Sequence, residues 1–195
     1  SHIKTGVKEL TKTAKIKNIS LFYILVGGIT WTCATYFNPY MFVDLGFNDQ
    51  WRGLLEGTLR LINILIITQI LKQAKWFTRK VSYLFFPIIM IVALTPGIWL
   101  KGFAAMPFIA GAMMATTARW IILAKYTNEE FNSRYRATAI SALSMGVGII
   151  YVIITAVSGP IIANFGGVRT VYTLLGLISL ITLLPLALKI VRENH

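Results

Sequence analysis

The chain has 195 residues, of which 56% are hydrophobic and 13% charged, and 19 Lys+Arg against 7 Asp+Glu give a formal net charge of +12. A soluble domain carries roughly a quarter charged residues, and a nucleic-acid module needs a solvated basic face over a compact core. Too little polar surface is present to cover such a core, so nucleic acid is excluded as a partner and the composition, with mean hydropathy +0.68, reads as a multi-span membrane protein.

A bilayer core of about 30 Å takes roughly 20 apolar residues as a helix. Residues 1–18 precede the first such run. There Ile3, Val7, Leu10 and Ala14 recur at helical spacing while Lys4, Lys8, Lys12 and Lys15 take other faces. The pattern suits either a basic amphipathic helix lying on an anionic leaflet or a solvated linker. Six apolar runs follow: Ser20 to Leu45, Gly53 to Leu71, Val81 to Leu100, Phe103 to Ala124, Thr138 to Ala163 and Thr170 to Leu188. The Lys101-Gly102 connection is short enough to make the third and fourth runs an antiparallel hairpin. The expected organisation is therefore a lead-in over 1–18, a six-helix transmembrane domain over 19–190 and a tail over 191–195. A start at Ser1-His2 and five further runs after the first argue against a cleaved signal peptide and for a fragment of a longer protein.

All six prolines lie inside the apolar runs, where neighbouring helices re-satisfy the freed carbonyls. Pro87 and Pro107 are expected in first turns, where proline starts a helix. Fourteen of the 19 basic residues fall on one side of six spans and three (Arg52, Lys101 and Arg169) on the other, with Arg60 and Arg119 within spans. The positive-inside rule then places both termini in the cytoplasm of a cell-membrane protein. Trp51, Trp76, Trp99 and Trp120 are expected near the interfaces.

No hydrolase, phosphate-loop or metalloprotease motif is present. The single Cys33 cannot form an intrachain disulfide, and with His2 and His195 as the histidines no Cys/His cluster has metal-ligand spacing. An enzyme is not expected, and no cofactor is implied. Gly146-Val147-Gly148, and Gly53 with Gly57, read as helix-packing positions.

Ionisable groups within spans are costly at the bilayer centre. Glu56 and Arg60 are four apart and share a helix face, and Asn63 extends the stripe. Such a stripe either faces a small-molecule substrate or is a structural ion pair. Arg119, near the inner end of its span beside Trp120, is expected to snorkel to the headgroups. Tyr36 and Asn38, next to Pro39, are candidates to line a cavity at a helix break or to bond between helices, as are Thr30 and Thr32. Asp44 ends the first span at the outer interface.

This pattern resembles the C-terminal six-helix half of a major facilitator superfamily transporter. Six spans with cytoplasmic ends and a basic lead-in are similar to the end of the central loop and the last six helices. Arg136-Ala137-Thr138-Ala139-Ile140-Ser141 is similar to the Arg-Ala-Thr-Ala-x-Ser entry to the family's eleventh helix. The basic turn between the second and third runs sits where the family repeats its G-x-x-x-D-R-x-G-R-R loop, although Lys75, Trp76 and Thr78 stand where Asp, Arg and Gly belong and Arg79-Lys80 keeps the basic end. The resemblance implies an all-α fold of 3+3 inverted repeats and transport of a small solute by alternating access against a missing N-terminal six-helix half. It implicates Tyr36, Asn38, Glu56, Arg60 and Asn63 in substrate binding, and Arg79, Lys80, Arg134 and Arg136 in gating. The alternative is a complete six-helix channel or scaffold, alone or as a homodimer; no nucleic acid is involved in either.

Overall fold

The structure, a computed structural model, describes residues 2–71 and 73–193, without the side chains of residues 2–4, 70 and 71. The expectations for Ile3 and Lys4 on the lead-in, for His2 and His195, for Lys72 in the basic turn and for residues 194 and 195 of the tail lie outside what is described.

The described residues are mostly helical. After α1 (His2–Leu10) come α2 (Ala14–Asp44), α3 (49–71), α4 (Arg79–Trp99), α5 (Gly102–Asn128), α6 (Arg136–Asn164) and α7 (Gly167–Glu193). Side-chain caps fix three of the starts by satisfying an orphan amide. Thr13 Oγ1 accepts from Ile16 N–H at 3.1 Å, Asn48 Oδ1 from Trp51 N–H at 3.0 Å, and Thr78 Oγ1 from Val81 N–H at 3.5 Å. At the α6–α7 turn, Gly166 (φ +93°) and Gly167 (φ +78°) take left-handed conformations that side chains resist.

Five helices, α2, α4, α5, α6 and α7, are long and apolar enough to cross a membrane. The chain is thus an all-α protein with several candidate membrane spans. Besides the short α1, the helix α3 is not among the five; it carries Glu56, Arg60 and Asn63 and runs up to Lys72.

Proline chemistry accounts for two of the four π-helical turns among the described residues. Pro39 and Pro185 each follow a π-helical turn, Cys33–Phe37 and Ser179–Leu183. A proline ring collides with the carbonyl four residues back, here at Thr35 and Ile181, and the wide π turn opens the helix at those residues. Pro107 sits in the first turn of its α-helical segment, as expected, but Pro87 lies inside the α-helix Arg79–Leu94 rather than at its start. That helix already has its N-cap at Thr78, well before the first-turn reading would place it.

The helix α2 is the central post, packed against α5, α6 and α7, with α4 between α5 and α7. Phe22, Val26, Ile29, Phe37, Met41 and Phe42 on α2 are all at or below 2% exposure. The short Lys101-Gly102 link does join α4 and α5 as packed neighbours. A Cβ on Gly28 would stand 2.2 Å from Ile150 Cγ2, so the α2–α6 crossing is set by that glycine. Gly146 serves the same crossing from the other side, against Ile24. Gly148, Gly53 and Gly57 do not: nothing lies within 4 Å of their Cβ positions. The Gly53/Gly57 pair therefore faces open space in this chain and packs no helix.

Polar clasps tie the two ends of the bundle. At the basic end, Asn18 Nδ2 donates to both Glu193 carboxylate oxygens at 2.9 Å. At the opposite end, Arg169 pairs with Asp44 and donates to the Leu100 carbonyl at 3.0 Å. The lead-in α1 packs on the bundle, with Leu10 of its expected stripe buried and Val7 and Ala14 exposed. Gly6, Glu9 and Leu10 turn inward, Gly6 against Ala142 and Thr138 of α6, and Val7 is 46% exposed. The absent side chain at Gly6 lets the two backbones meet, which the apolar stripe through Val7 would not.

Candidate functional site

One face of the bundle brings together polar and aromatic groups from α2, α3, α5 and α6. Arg60 and Glu56 form the expected i,i+4 pair, Nη2 to Oε1 at 2.6 Å, with the Arg60 side chain 54% exposed. Arg60 also borders a small crevice with Ala34 of α2 and Met113, Thr116 and Thr117 of α5. Thr116 Oγ1 donates to the Thr30 carbonyl at 3.1 Å, which holds α5 against α2 at that level. Nearby, the Trp31 and Tyr151 rings are 5.0 Å apart, and Tyr36 stacks at 5.1 Å with the half-exposed Tyr40.

The other two candidate binding residues point into the protein. Asn38 is 1% exposed and its Oδ1 accepts from the Tyr172 hydroxyl of α7. Asn63 is equally buried and donates to the Ala110 carbonyl of α5 at 3.0 Å. Both bonds join helices. Thr30 and Thr32 return their hydroxyls to carbonyls one turn back, at 2.7 Å each.

Arg119 is placed differently from the sequence expectation. It does not snorkel: the residue is 2% exposed, about nine residues and so roughly 14 Å from the Asn128 end of α5. A π-helical turn, Arg119–Leu123, begins at this residue, and the side chain packs against Tyr23 and Gly27 of α2. Its guanidinium carbon lies 4.0 Å from the Trp120 ring centroid and 5.7 Å from that of Tyr23. Gly27 makes room for it, since a Cβ there would come within 3.1 Å of Nη1. The Arg119 Nε has no hydrogen-bond partner. Arg119, Trp120, Trp31, Ser144 and Val147 line a cavity of about 140 Å³. Trp120, 62% exposed, forms one wall of this cavity. Placing a cation at such depth costs at least about 2.5–3.5 kcal/mol. Cation–π contact with Trp120 and Tyr23 offsets part of that.

A second cluster gathers at the basic end. Glu130, in the α5–α6 connection, pairs with Arg79 at the start of α4 and with Lys15 at the start of α2, the latter at 3.2 Å. Arg79 also donates to the Tyr126 carbonyl at 3.0 Å. One carboxylate therefore clasps three helix ends. Arg136 reaches the Phe131 carbonyl at 3.5 Å, and Arg134 lies over the Tyr135 ring at 5.4 Å. Lys80 follows Arg79 in the first turn of α4. Sequence reading named Arg79, Lys80, Arg134 and Arg136 but not Glu130, whose distance from both partners along the chain hides the clasp.

Among the described residues, no group of three or more His, Cys, Asp or Glu is arranged to hold a metal ion. Comparison with known protein families, curated proteins and solved structures finds no match to this chain.

Proposed function

We propose that the chain is one six-helix half of a secondary active transporter of the major facilitator type, moving a small solute by alternating access. In this reading α2 to α7 are six spans of a cell membrane, with α3 as the sixth, and both termini are cytoplasmic. The observation that carries it is the face just described. Arg60 of α3, Trp31 and Tyr40 of α2, Trp120 of α5 and Ser144 of α6 are left uncovered by the chain itself, while α4 and α7 pack behind. A face with that mixture of charge and aromatic surface is poorly matched to hydrocarbon. It fits a wall of a substrate pathway whose opposite wall is the missing N-terminal half. The Glu130 clasp with Arg79 and Lys15, flanked by Lys80, Arg134 and Arg136, then acts as the cytoplasmic latch that holds helix ends together in one state and releases them in the other.

The test is gradient-driven uptake by the full-length protein in proteoliposomes. Arg60→Ala impairs uptake more than Lys101→Ala, because Arg60 lies on the pathway wall and Lys101 in a loop. Wild-type rates in both variants would remove Arg60 from the pathway.

A further inference from the structure

We propose that the cavity at Arg119 is a binding site for a small organic carboxylate, its anionic end on the guanidinium and a flat apolar body between Trp31 and Trp120. The proposal deepens the transporter reading by naming its substrate class, and rests on it for its physiological role but not for the binding itself.

The first ground is an unbalanced charge. Arg119 is 2% exposed, yet none of the ion pairs among the described residues includes it. The chain has seven Asp and Glu in all. Six of them are paired with other cations, at Lys12, Lys15 and Arg79, Arg52, Arg60, Arg169, and Lys189. The seventh, Glu129, lies in the connection after α5 and is exposed. A buried cation without a counter-ion is strongly disfavoured unless something supplies one. The two aromatic rings soften this cost but carry no net charge.

The second ground is geometric. Arg119 lines the cavity, and its Nε is buried without a hydrogen-bond partner. A guanidinium offers parallel N–H donors in a fork that matches a carboxylate. The Ser144 hydroxyl at the rim supplies a further donor. The third ground is the shape and chemistry of the remaining wall. Trp31, Trp120 and Val147 are apolar, and about 140 Å³ is close to the size of cavities that hold a single aromatic ring. An inorganic anion would leave those walls unused; a compact carboxylate with a ring or short branched chain uses all of them. Of the three helices at the cavity, α5 brings a π turn and α2 a glycine, Gly27, so the cavity is made by departures from regular helix packing rather than by a gap between regular ones.

The test uses the purified full chain in lipid nanodiscs, with benzoate as probe and benzamide as its neutral isostere. Trp120 stacks on Arg119 and reports occupancy through tryptophan fluorescence. Benzoate should give a saturable change, with benzamide about tenfold weaker or worse, since loss of a buried charge-assisted pair is of that order or larger. Arg119→Gln should weaken benzoate by at least about tenfold, while Arg119→Lys keeps part of the affinity by keeping the charge. Ser144→Leu fills the cavity from its exposed rim without touching the cation, and should abolish binding in a protein whose buried Cys33 stays unreactive to thiol reagents. That variant decides the matter if Arg119→Gln fails to fold. Equal response to benzoate and benzamide, no saturable response, or wild-type binding by Ser144→Leu would each overturn the site. Binding without gradient-driven uptake would defeat the transporter reading and leave the site standing. Uptake that is indifferent to Arg119→Gln would leave the transporter reading standing and overturn the cavity as its substrate site.

Discussion

The crossing of α2 and α6 offers the sharpest test of the packing. Replacing Gly28 by Ala places a methyl group 2.2 Å from Ile150 Cγ2 and 2.5 Å from its Cβ. The γ-methyl can turn away, but the Cβ moves with the backbone, so α6 has to retreat by about 1 Å to reach ordinary contact distance. Overpacking of this kind costs about 1–3 kcal/mol, and the better helix propensity of Ala returns up to about 1 kcal/mol. The upper part of the range applies because the neighbour is β-branched and stiff, so the net loss is about 1–2 kcal/mol. For a chain of this size that corresponds to roughly 3–6 °C in the unfolding midpoint. The chain carries its own reporter: Cys33, the single cysteine, is 1% exposed and lies on the same helix, little more than a turn further along. Thermal unfolding in detergent, followed with a thiol-reactive dye, gives the midpoint directly. Gly148→Ala is the control, since nothing lies within 4 Å of its Cβ and it should be neutral or slightly stabilising. Combining Gly28→Ala with Ile150→Ala should recover part of the loss. If Gly28→Ala proves as stable as Gly148→Ala, the crossing is not set by that glycine.

Arg169→Gln removes the pair with Asp44 and the bond to the Leu100 carbonyl; with both side chains partly exposed the loss is about 1–2 kcal/mol, read by the same dye, and an unchanged midpoint would discount the clasp. Glu130→Gln frees Lys15 and Arg79 from their shared carboxylate, so trypsin should cut at Lys125 and Arg134 several-fold faster than in the wild type; equal rates would show that the three helix ends hold together without it. In a Cys33→Ala background, single cysteines at Asn48 and Asn132 should react with an impermeant maleimide from opposite sides of a sealed vesicle, because the proposed topology puts an odd number of spans, α3 to α5, between them; labelling from the same side would refute it.

The helices were legible because their physical signal is coarse. A run of about 20 apolar residues bounded by Lys and Arg marks a helix whatever its neighbours do, and each run matches a helix, although α2 begins at Ala14 and α7 ends at Glu193, beyond the apolar cores. Hydropathy does not see those extensions, because their polar residues are satisfied by partners far along the chain: Asn18 by Glu193, and Lys15 by Glu130. The Glu56–Arg60 pair was legible because it is local, one turn apart on one helix. Asn38 and Asn63 were visible as polar residues in apolar runs, but whether such a residue faces a cavity or another helix depends on a partner, Tyr172 or the Ala110 carbonyl, that adjacency does not disclose.

Arg119 shows why a face is harder to read than a span. Counting forward at about 3.6 residues per turn assigns every side chain of a straight helix to a direction. A π turn inserts one residue into that count, so everything beyond it is rotated by about 100° relative to the residues before it. Two of the three helices that line the Arg119 cavity contain such a turn, Cys33–Phe37 on α2 and Arg119–Leu123 on α5. On α2 the cause is visible, because Pro39 follows and its ring needs the carbonyl of Thr35 displaced. On α5 no proline follows; the turn starts at the arginine, which is buried against Tyr23 and Trp120, and rotates the residues beyond it. A sequence reading that keeps the helix regular sends this long cationic stem along the helix toward the headgroups, the cheaper destination for an isolated helix. The folded bundle takes the costlier one, and π turns of this sort recur at functional sites. An irregular turn, an unpaired cation and an open cavity at one residue are hard to explain by packing alone, and a bound anion accounts for all three.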